Sequence, residues 1–490
     1  MALATETEIV DSIPRGLLIG GEWVQTSGTL AVEDPSTGEL LAEVADATEQ
    51  DALAALDAAV AAQPSWGEHP PRERGEILRR AYEEIVARQD ELALLMTLEM
   101  GKPLAESRAE VTYAAEFLRW FSEEAVRIEG RYANAPNGAS RLLVMKQPVG
   151  PCLLITPWNF PLAMGTRKIG PAIAAGCTMV VKPAKQTPLS MLALADVLAR
   201  AGLPDGVLNL VTSSSASRVM GPLIGDRRAR KLSFTGSTEV GRRLVVQSAQ
   251  QLLRVSMELG GNAPFVVFED ADVEEAVEGA LLAKMRNGGE ACTAANRFYV
   301  HERLLDAFAQ RLSQRMAQLR VGRGTEPGVE VGPLIDSVER DKVGALVQDA
   351  IDRGASVLTG AEPLDGPGWF YRPTVLADVA DDARVLHEEI FGPVAPLRSF
   401  SDEDEVIAAA NATEYGLVAY LYTNDLRRAV RVGERLETGM LGVNQGIVSN
   451  AAAPFGGVKH SGFGREGGRE GIEEYLETKY MAIAFNLQAD

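Results

Sequence analysis

Between residues 150 and 268 the chain alternates short apolar runs with amphipathic stretches, and few folds accommodate that pattern. The apolar runs are "PCLLIT", "TMVVKP", "GVLNLV", "RKLSFTG", "LLRVSMEL" and "APFVVF", each short enough for a buried strand. Helical stretches such as "SMLALADVLARAG" and "STEVGRRLVVQSAQ" lie between several of them. Strand–helix alternation predicts a parallel, doubly wound sheet, whose ligands bind beyond the carboxyl ends of the strands.

The flanking segments differ. Residues 49 to 127 carry apolar positions at helical spacing, and "ASRLLVMKQPVG" then reads as a strand. A second alternating block spans about 270 to 445, with helices near "VEEAVEGALLAKMRN" and "LLDAFAQRLSQRMAQL" and strands at "RFYVH", "LVAYLYT" and "GMLGVNQ". The tail "GIEEYLETKYMAIAFNL" predicts a short helix followed by an apolar strand. Such a strand needs a partner, and with the strand near 141 to 146 it would form a small sheet that pairs with another subunit. At 490 residues, two or three domains are expected.

Charge and cysteine usage exclude several classes. The net charge of −20, without clustered Lys and Arg, argues against nucleic acid as a partner. Cys152, Cys177 and Cys292 are an odd count without metal-ligand spacing, so neither a disulfide framework nor a metal site is expected. The start "MALATETEIVDSIPRG" lacks the basic-then-apolar pattern of a targeting segment, and the run "GPAIAAGCTMVV" is too short to span a bilayer. The expectation is a cytoplasmic protein without membrane partners.

Four places carry candidate chemistry. In "KMRNGGEACTAANR", Cys292 follows Gly288–Gly289 and lies between a helix and a strand. It reads either as a buried structural thiol or as a nucleophile beside a cleft. Glu258 in "SMELGGNAPF" is either a turn residue or the base for that thiol and for a later water. In "ITPWNFPL", Asn159 belongs either to a plain proline-bracketed turn or to an oxyanion hole. No G-x-G-x-x-G follows a strand. Instead "SFTGSTEVGRR" puts Gly236 and Ser237 at a helix start, and "VVKPAKQTPLS" ends a strand on Lys182. These are ordinary element ends, or else a pyrophosphate cradle and a ribose contact.

Taken together, "PWNFP", "KPAKQTPL", "FTGSTEVGR", "MELGGNAPFVVF", "GGEACTAANR", "EEIFGPV" and "PFGGVKHSGFGREGG" resemble the aldehyde dehydrogenase superfamily almost end to end. The resemblance implies an α/β fold with two doubly wound parallel-sheet domains and a small β oligomerisation domain. It places the NAD(P)-binding domain at 1–127 and 148–258, the catalytic domain at 259–469 and the oligomerisation domain at 128–147 and 470–490. It implies Cys292 as nucleophile, Glu258 as general base, and Asn159 with the Cys292 N–H as oxyanion hole. Thr156, Trp158, Lys182, Ala184, Lys185, Gly236, Ser237 and Leu259 would contact the cofactor, and Glu389 and Phe391 would hold its nicotinamide ribose. A homodimer or homotetramer is implied as well.

Within the superfamily the chain is most similar to succinate-semialdehyde dehydrogenases, through "WNFPLAMGTRKIGPAIAAGCTMVVKPA", "KMRNGGEACTAANR" and "GIVSNAAAPFGG". That similarity implies that Arg167, Arg286 and Ser449 bind the far carboxylate of the substrate, by forked donors and a hydroxyl. The plainer reading of Arg167 is a helix-terminal ion pair. One methylene is worth only about 1–3 kcal/mol in a pocket, so glutarate semialdehyde is an alternative substrate. Lys185 stands where many NAD-preferring relatives carry Glu, which predicts NADP as preferred cofactor with NAD possible. Two positions depart from the pattern. Glu290 replaces a common Gln and is expected to point away from the thiol, and Ala294 removes a second cysteine found in some relatives. A cofactor-independent thiol esterase and a catalytically silent structural protein are the rival readings.

Overall fold

The computed structural model describes residues 5–484. Its larger sheet has eight strands, ordered Gly462–Phe463, Arg254–Glu258, Lys231–Thr235, Cys152–Ile155, Met179–Lys182, Leu208–Leu210, Leu17–Ile19 and Glu22–Val24. The five strands from Arg254–Glu258 to Leu208–Leu210 run parallel, while both edges are antiparallel. Four of the five are buried along their whole length, which explains why they read as continuous apolar runs and not as alternation.

A second, seven-stranded sheet runs Ser356–Thr359, Thr374–Ala377, Val394–Phe400, Ala295–His301, Ala263–Val267, Val418–Tyr422 and Met440–Val443. All its pairings are parallel except that of Ser356–Thr359 with Thr374–Ala377. The segment "APFVVF", expected within the first alternation, supplies Ala263–Val267 to this sheet instead. The chain passes between sheets through Gly260 and Gly261. A Cβ on Gly261 would sit 2.4 Å from the Cys292 carbonyl oxygen, so only glycine permits that crossing beside the cysteine.

The tail strand Leu476–Ala484 pairs antiparallel with Ser140–Pro148, which pairs with Arg131–Asn134. Tyr132, Tyr480, Met481 and Ile483 are exposed on this three-stranded sheet. Residues 485–490 of the expected strand lie outside the described residues. A hairpin of Thr29–Asp34 and Glu39–Ala45 completes the β-structure, and neither it nor the strands at 17–24 follow from the sequence reading.

The helices expected over 49 to 127 are Glu49–Gly67, Pro71–Ala87, Gln89–Met100 and Leu104–Glu124. Leu104–Glu124 packs on the wholly buried helix Ala163–Ala175, which follows the "PWNFP" turn and ends at Gly176 with φ +87°. Among the described residues no helix is long and apolar enough to cross a membrane, and no group of His, Cys, Asp and Glu is arranged to hold a metal ion.

Candidate active site

The cysteine-bearing segment is fixed from several directions. After the helix Val273–Met285 the chain turns through Asn287 and Gly288, with φ +56° and +61°. The Asn287 Nδ2 donates to the carbonyls of Asn159 and Glu290, at 3.0 Å each. Beyond the cysteine, Tyr420 Oη donates to the Thr293 carbonyl at 2.8 Å. Cys292 itself stays partly accessible, whereas Cys152 and Cys177 are fully buried. Only one of the three thiols is therefore presented to a ligand.

Its surroundings hold that thiol in the protonated form. Burial pushes Cys292 up to about 12, Arg167 and Arg286 pull it down, and Glu389 and Glu258 push it up. Glu258, at the end of its strand, is 3 % exposed, and neither carboxyl oxygen has a hydrogen-bond partner within the protein. Burial and the nearby Glu466 raise its pKa well above the carboxylate range. A carboxyl so placed holds a proton strongly and, once ionised, is a base whose oxygens have no competing hydrogen-bond partner.

Asn159 sits in the turn after strand Cys152–Ile155. Its Nδ2 donates to the Glu290 carbonyl at 3.0 Å. An amide nitrogen carries two hydrogens, so a second donor remains for an oxygen beside Cys292. Glu290 is 1 % exposed, and its Oε1 accepts from the Ile335 N–H at 3.0 Å. It is not among the largest influences on the thiol, and its Oε1 is engaged by Ile335 N–H. Burial raises its pKa well above the usual range, so the carboxyl is held neutral.

The two arginines differ. Arg286 Nη1 donates to Ser449 Oγ at 3.4 Å, and its guanidinium lies 4.7 Å from the Phe160 ring centroid and 5.8 Å from that of Tyr113. Among the described residues it has no ion-pair partner. With Ser449, Phe160 and Tyr113 it lines a cavity of about 550 Å³. Arg167, 1 % exposed, is ion-paired through Nε to Glu466 at 2.5 Å and stacks on Phe455 at 4.1 Å. Burial, the largest single influence, lowers its pKa, but Glu466, Tyr113, Glu258 and Cys292 together outweigh it and the net shift is upward. Its Nη2 is buried without a hydrogen-bond partner, and its charge reaches Cys292, Glu258 and Tyr113. The ion pair anticipated for Arg167 is thus present, and its Nη2 is left without a partner.

A dinucleotide fits the carboxyl ends of the first sheet. Thr156 Oγ1 and Thr235 Oγ1, just beyond or at the ends of neighbouring parallel strands, are buried without hydrogen-bond partners. Lys182, 6 % exposed and without a carboxylate partner among the described residues, is lowered to about 8 by burial and by the charge of Lys185. Ala184 and the exposed Lys185 follow it on the same connection. Ser237 caps the helix Thr238–Ser248, accepting from Val240 N–H, and Gly236 precedes it with no room for a Cβ beside Phe234. Leu259 fills the space over Gly241.

Opposite them, Trp158 meets Phe391 edge to face at 5.3 Å, and Phe391 carries the uncommon φ of +54°. Glu389 Oε1 accepts from Gly261 N–H at 3.0 Å, and burial raises its carboxyl to about 7. Thr235, Asn287 and Glu466 escaped the sequence reading. The only signal for Thr235 was its place at the end of a strand.

The chain matches the profile described as "Aldehyde dehydrogenase family" over residues 23–481. It is 62 % identical to a succinate-semialdehyde dehydrogenase of Paenarthrobacter nicotinovorans, over 91 % of this chain and 99 % of that one. It is 51 % identical to a glutarate-semialdehyde dehydrogenase of Pseudomonas putida, over 95 % of this chain and 97 % of that one. The crystal structure of an E. coli NADP-dependent enzyme superposes with a TM-score of 0.95 at 51 % identity, covering 97 % of this chain and 99 % of that one. The fold is the α/β aldehyde dehydrogenase fold, and by these matches the chain belongs to the aldehyde dehydrogenase family.

Proposed function

We propose that the protein oxidises succinate semialdehyde to succinate with NADP preferred over NAD. The observation that carries this reading is an arginine without an ion-pair partner among the described residues, Arg286, which bonds Ser449 at the wall of a cavity and whose charge acts on the accessible Cys292. A carboxylate enters that arrangement as the missing ion-pair partner, with Arg167 Nη2 as a further donor. The similarity to a succinate-semialdehyde dehydrogenase supports the substrate, and likeness to an NADP-dependent enzyme supports the cofactor. Lys185 beside Lys182 supplies the positive charge that a 2′-phosphate needs.

Cys292 gives up its proton as its sulfur adds to the aldehyde carbon. Glu258 takes that proton, since its carboxyl oxygens have no other partner. The oxygen that becomes negative is held by the second Asn159 hydrogen and the Cys292 N–H. A nicotinamide, when bound, supplies the hydride acceptor. Thr156, Thr235, Lys182, Lys185 and Ser237 would hold that cofactor, and Glu389 would hold its ribose. Once Glu258 has passed the thiol proton on to solvent, its carboxylate deprotonates the water that cleaves the thioester on Cys292, releasing succinate.

We further infer that residues 1–127 and 148–258 bind the dinucleotide and that residues 259–469 carry the catalytic cysteine. Residues 128–147 and 470–490 form the oligomerisation domain, and its sheet of Arg131–Asn134, Ser140–Pro148 and Leu476–Ala484 pairs with another copy, since its apolar Tyr480, Met481 and Ile483 are exposed. A reducing compartment such as the cytoplasm suits three free thiols.

The test is a rate profile at 340 nm across succinate semialdehyde, glutarate semialdehyde and an uncharged aldehyde of similar length, with each cofactor. Highest kcat/KM with succinate semialdehyde and NADP supports the assignment. Highest kcat/KM with glutarate semialdehyde transfers it to the longer substrate. Ester cleavage without any cofactor reduction establishes the thiol esterase instead.

A further inference from the structure

Glu106 and Glu110, four residues apart, share one face of helix Leu104–Glu124, and Lys102 precedes the helix. Lys102 and Glu110 are buried, and the partly buried Glu106 lines the same cavity as Arg286 and Ser449. The Lys102–Glu110 pair, at 2.5 Å, has both side chains 1 % exposed. Lys102 Nζ also donates to the Asn159 carbonyl at 2.7 Å. Glu110 Oε1 accepts from Leu162 N–H at 3.1 Å and Ala163 N–H at 3.2 Å, the uncapped start of the helix that bears Arg167. Glu106 Oε2 accepts from Asn287 N–H at 2.5 Å, the residue whose left-handed backbone turns the chain toward Cys292.

Lys102 reaches the oxyanion donor Asn159 directly, Glu106 reaches Asn287, and Glu110 holds Lys102 and the start of the next helix. Asn159 receives Lys102 and Asn287 on its carbonyl and spends one amide hydrogen on Glu290, which aims the other. Replacing a buried ion pair by apolar residues of similar volume is often neutral for stability, so folding alone does not call for these charges. What they add is direction.

We propose that Lys102, Glu106 and Glu110 are positioning residues that fix the Asn159 amide and the Asn287 turn relative to Cys292. The proposal rests on Asn159 as the oxyanion donor. None of the three touches the reacting atoms. Lys102 acts through the Asn159 carbonyl, Glu106 through the Asn287 N–H, and Glu110 through Lys102 and the backbone of Leu162 and Ala163.

The full-length enzyme tests this with two rates. One is the pre-steady-state burst of reduced cofactor with succinate semialdehyde, which requires the oxyanion. The other is alkylation of Cys292 by iodoacetamide, a displacement at carbon that forms no oxyanion. Glu106→Ala should slow the burst by about 10- to 100-fold, the range for a misplaced or missing oxyanion donor, and leave alkylation within about twofold. Glu106→Gln keeps the acceptor and should recover most of the burst. The double variant Lys102→Met/Glu110→Gln, which leaves no unpaired buried charge, should behave as Glu106→Ala does.

A burst unchanged in Glu106→Ala overturns the proposal. So does a burst that falls together with alkylation and Tm, because that is general loosening. Asn159→Ala separates the underlying reading. If it keeps a normal burst, the oxyanion role of Asn159 fails and the proposal with it. If it loses the burst while Glu106→Ala does not, only the proposal fails.

Discussion

The Arg286 guanidinium donates to the Ser449 hydroxyl at 3.4 Å, although 163 residues separate them in sequence. The contact joins the segment before the nucleophile to the loop after the last strand of the second sheet. It also leaves most of the guanidinium donors uncommitted at the wall of a cavity.

Arg286→Gln should therefore raise the KM for succinate semialdehyde by about 10- to 100-fold, the loss of charge-assisted hydrogen bonds worth ~1.5–3 kcal/mol. Oxidation of an uncharged aldehyde of similar length should change little. Equal losses with both aldehydes would show that Arg286 supports the loop and not the carboxylate.

Lys185→Glu exchanges a charge attractive to a 2′-phosphate for one that repels it, beside a Lys182 that has no other carboxylate partner. Its kcat/KM should fall by about 10-fold or more with NADP, at ~1.4 kcal/mol per factor of ten, and less with NAD. Parallel kinetics with the two cofactors decide it, and equal losses refute the assignment.

Glu290 gives a stability prediction with a definite sign. Burial raises its folded pKa well above the ordinary carboxyl value, so the native state keeps a proton that the unfolded chain releases. Stability then falls as pH rises from the unfolded pKa, about 4.3, toward the folded one. Glu290→Gln removes that penalty. Its Tm should match the parent near pH 4 and exceed it by about 1–3 °C at neutral pH. Dehydrogenase activity should persist, because it is the Glu290 carbonyl that meets Asn159.

The candidate site residues stood out in the sequence because they sit at or beside strand ends: Glu258 and Lys182 end strands, Asn159 follows one and Cys292 precedes one, with glycine pairs beside Glu258 and Cys292. The parallel strands were legible because full burial makes each a short continuous apolar run. Which sheet a strand joins was not. "APFVVF" has the same local pattern as its predecessors, and only the tight passage at Gly260–Gly261 sends it elsewhere. Lys102, Glu106 and Glu110 were passed over for a related reason. Charges at helical spacing ordinarily mark a solvated face, and only packing against Ala163–Ala175 buries Glu110. The partial commitment of Arg167 was equally hidden, since Glu466 lies 298 residues from the neighbouring Lys168 with which it also pairs.

Glu258 should separate the two halves of the reaction. Proton removal from the thiol has help from Arg167 and Arg286, which lower its pKa, whereas hydrolysis of the thioester needs a base, and Glu258 is the carboxyl near Cys292 with both oxygens uncommitted, Glu389 being engaged by Gly261 N–H. Glu258→Gln should therefore retain a slowed burst of about one reduced cofactor per subunit and lose turnover by about 100-fold or more, the scale of a general base.

Acid-quenching that variant after mixing with succinate semialdehyde and NADP, then mapping its peptides by mass spectrometry, tests the central claim most directly. The account predicts a succinyl group on the peptide that contains Cys292. Reduced cofactor formed with no acyl group on that peptide, or with one on Cys152 or Cys177, would contradict it.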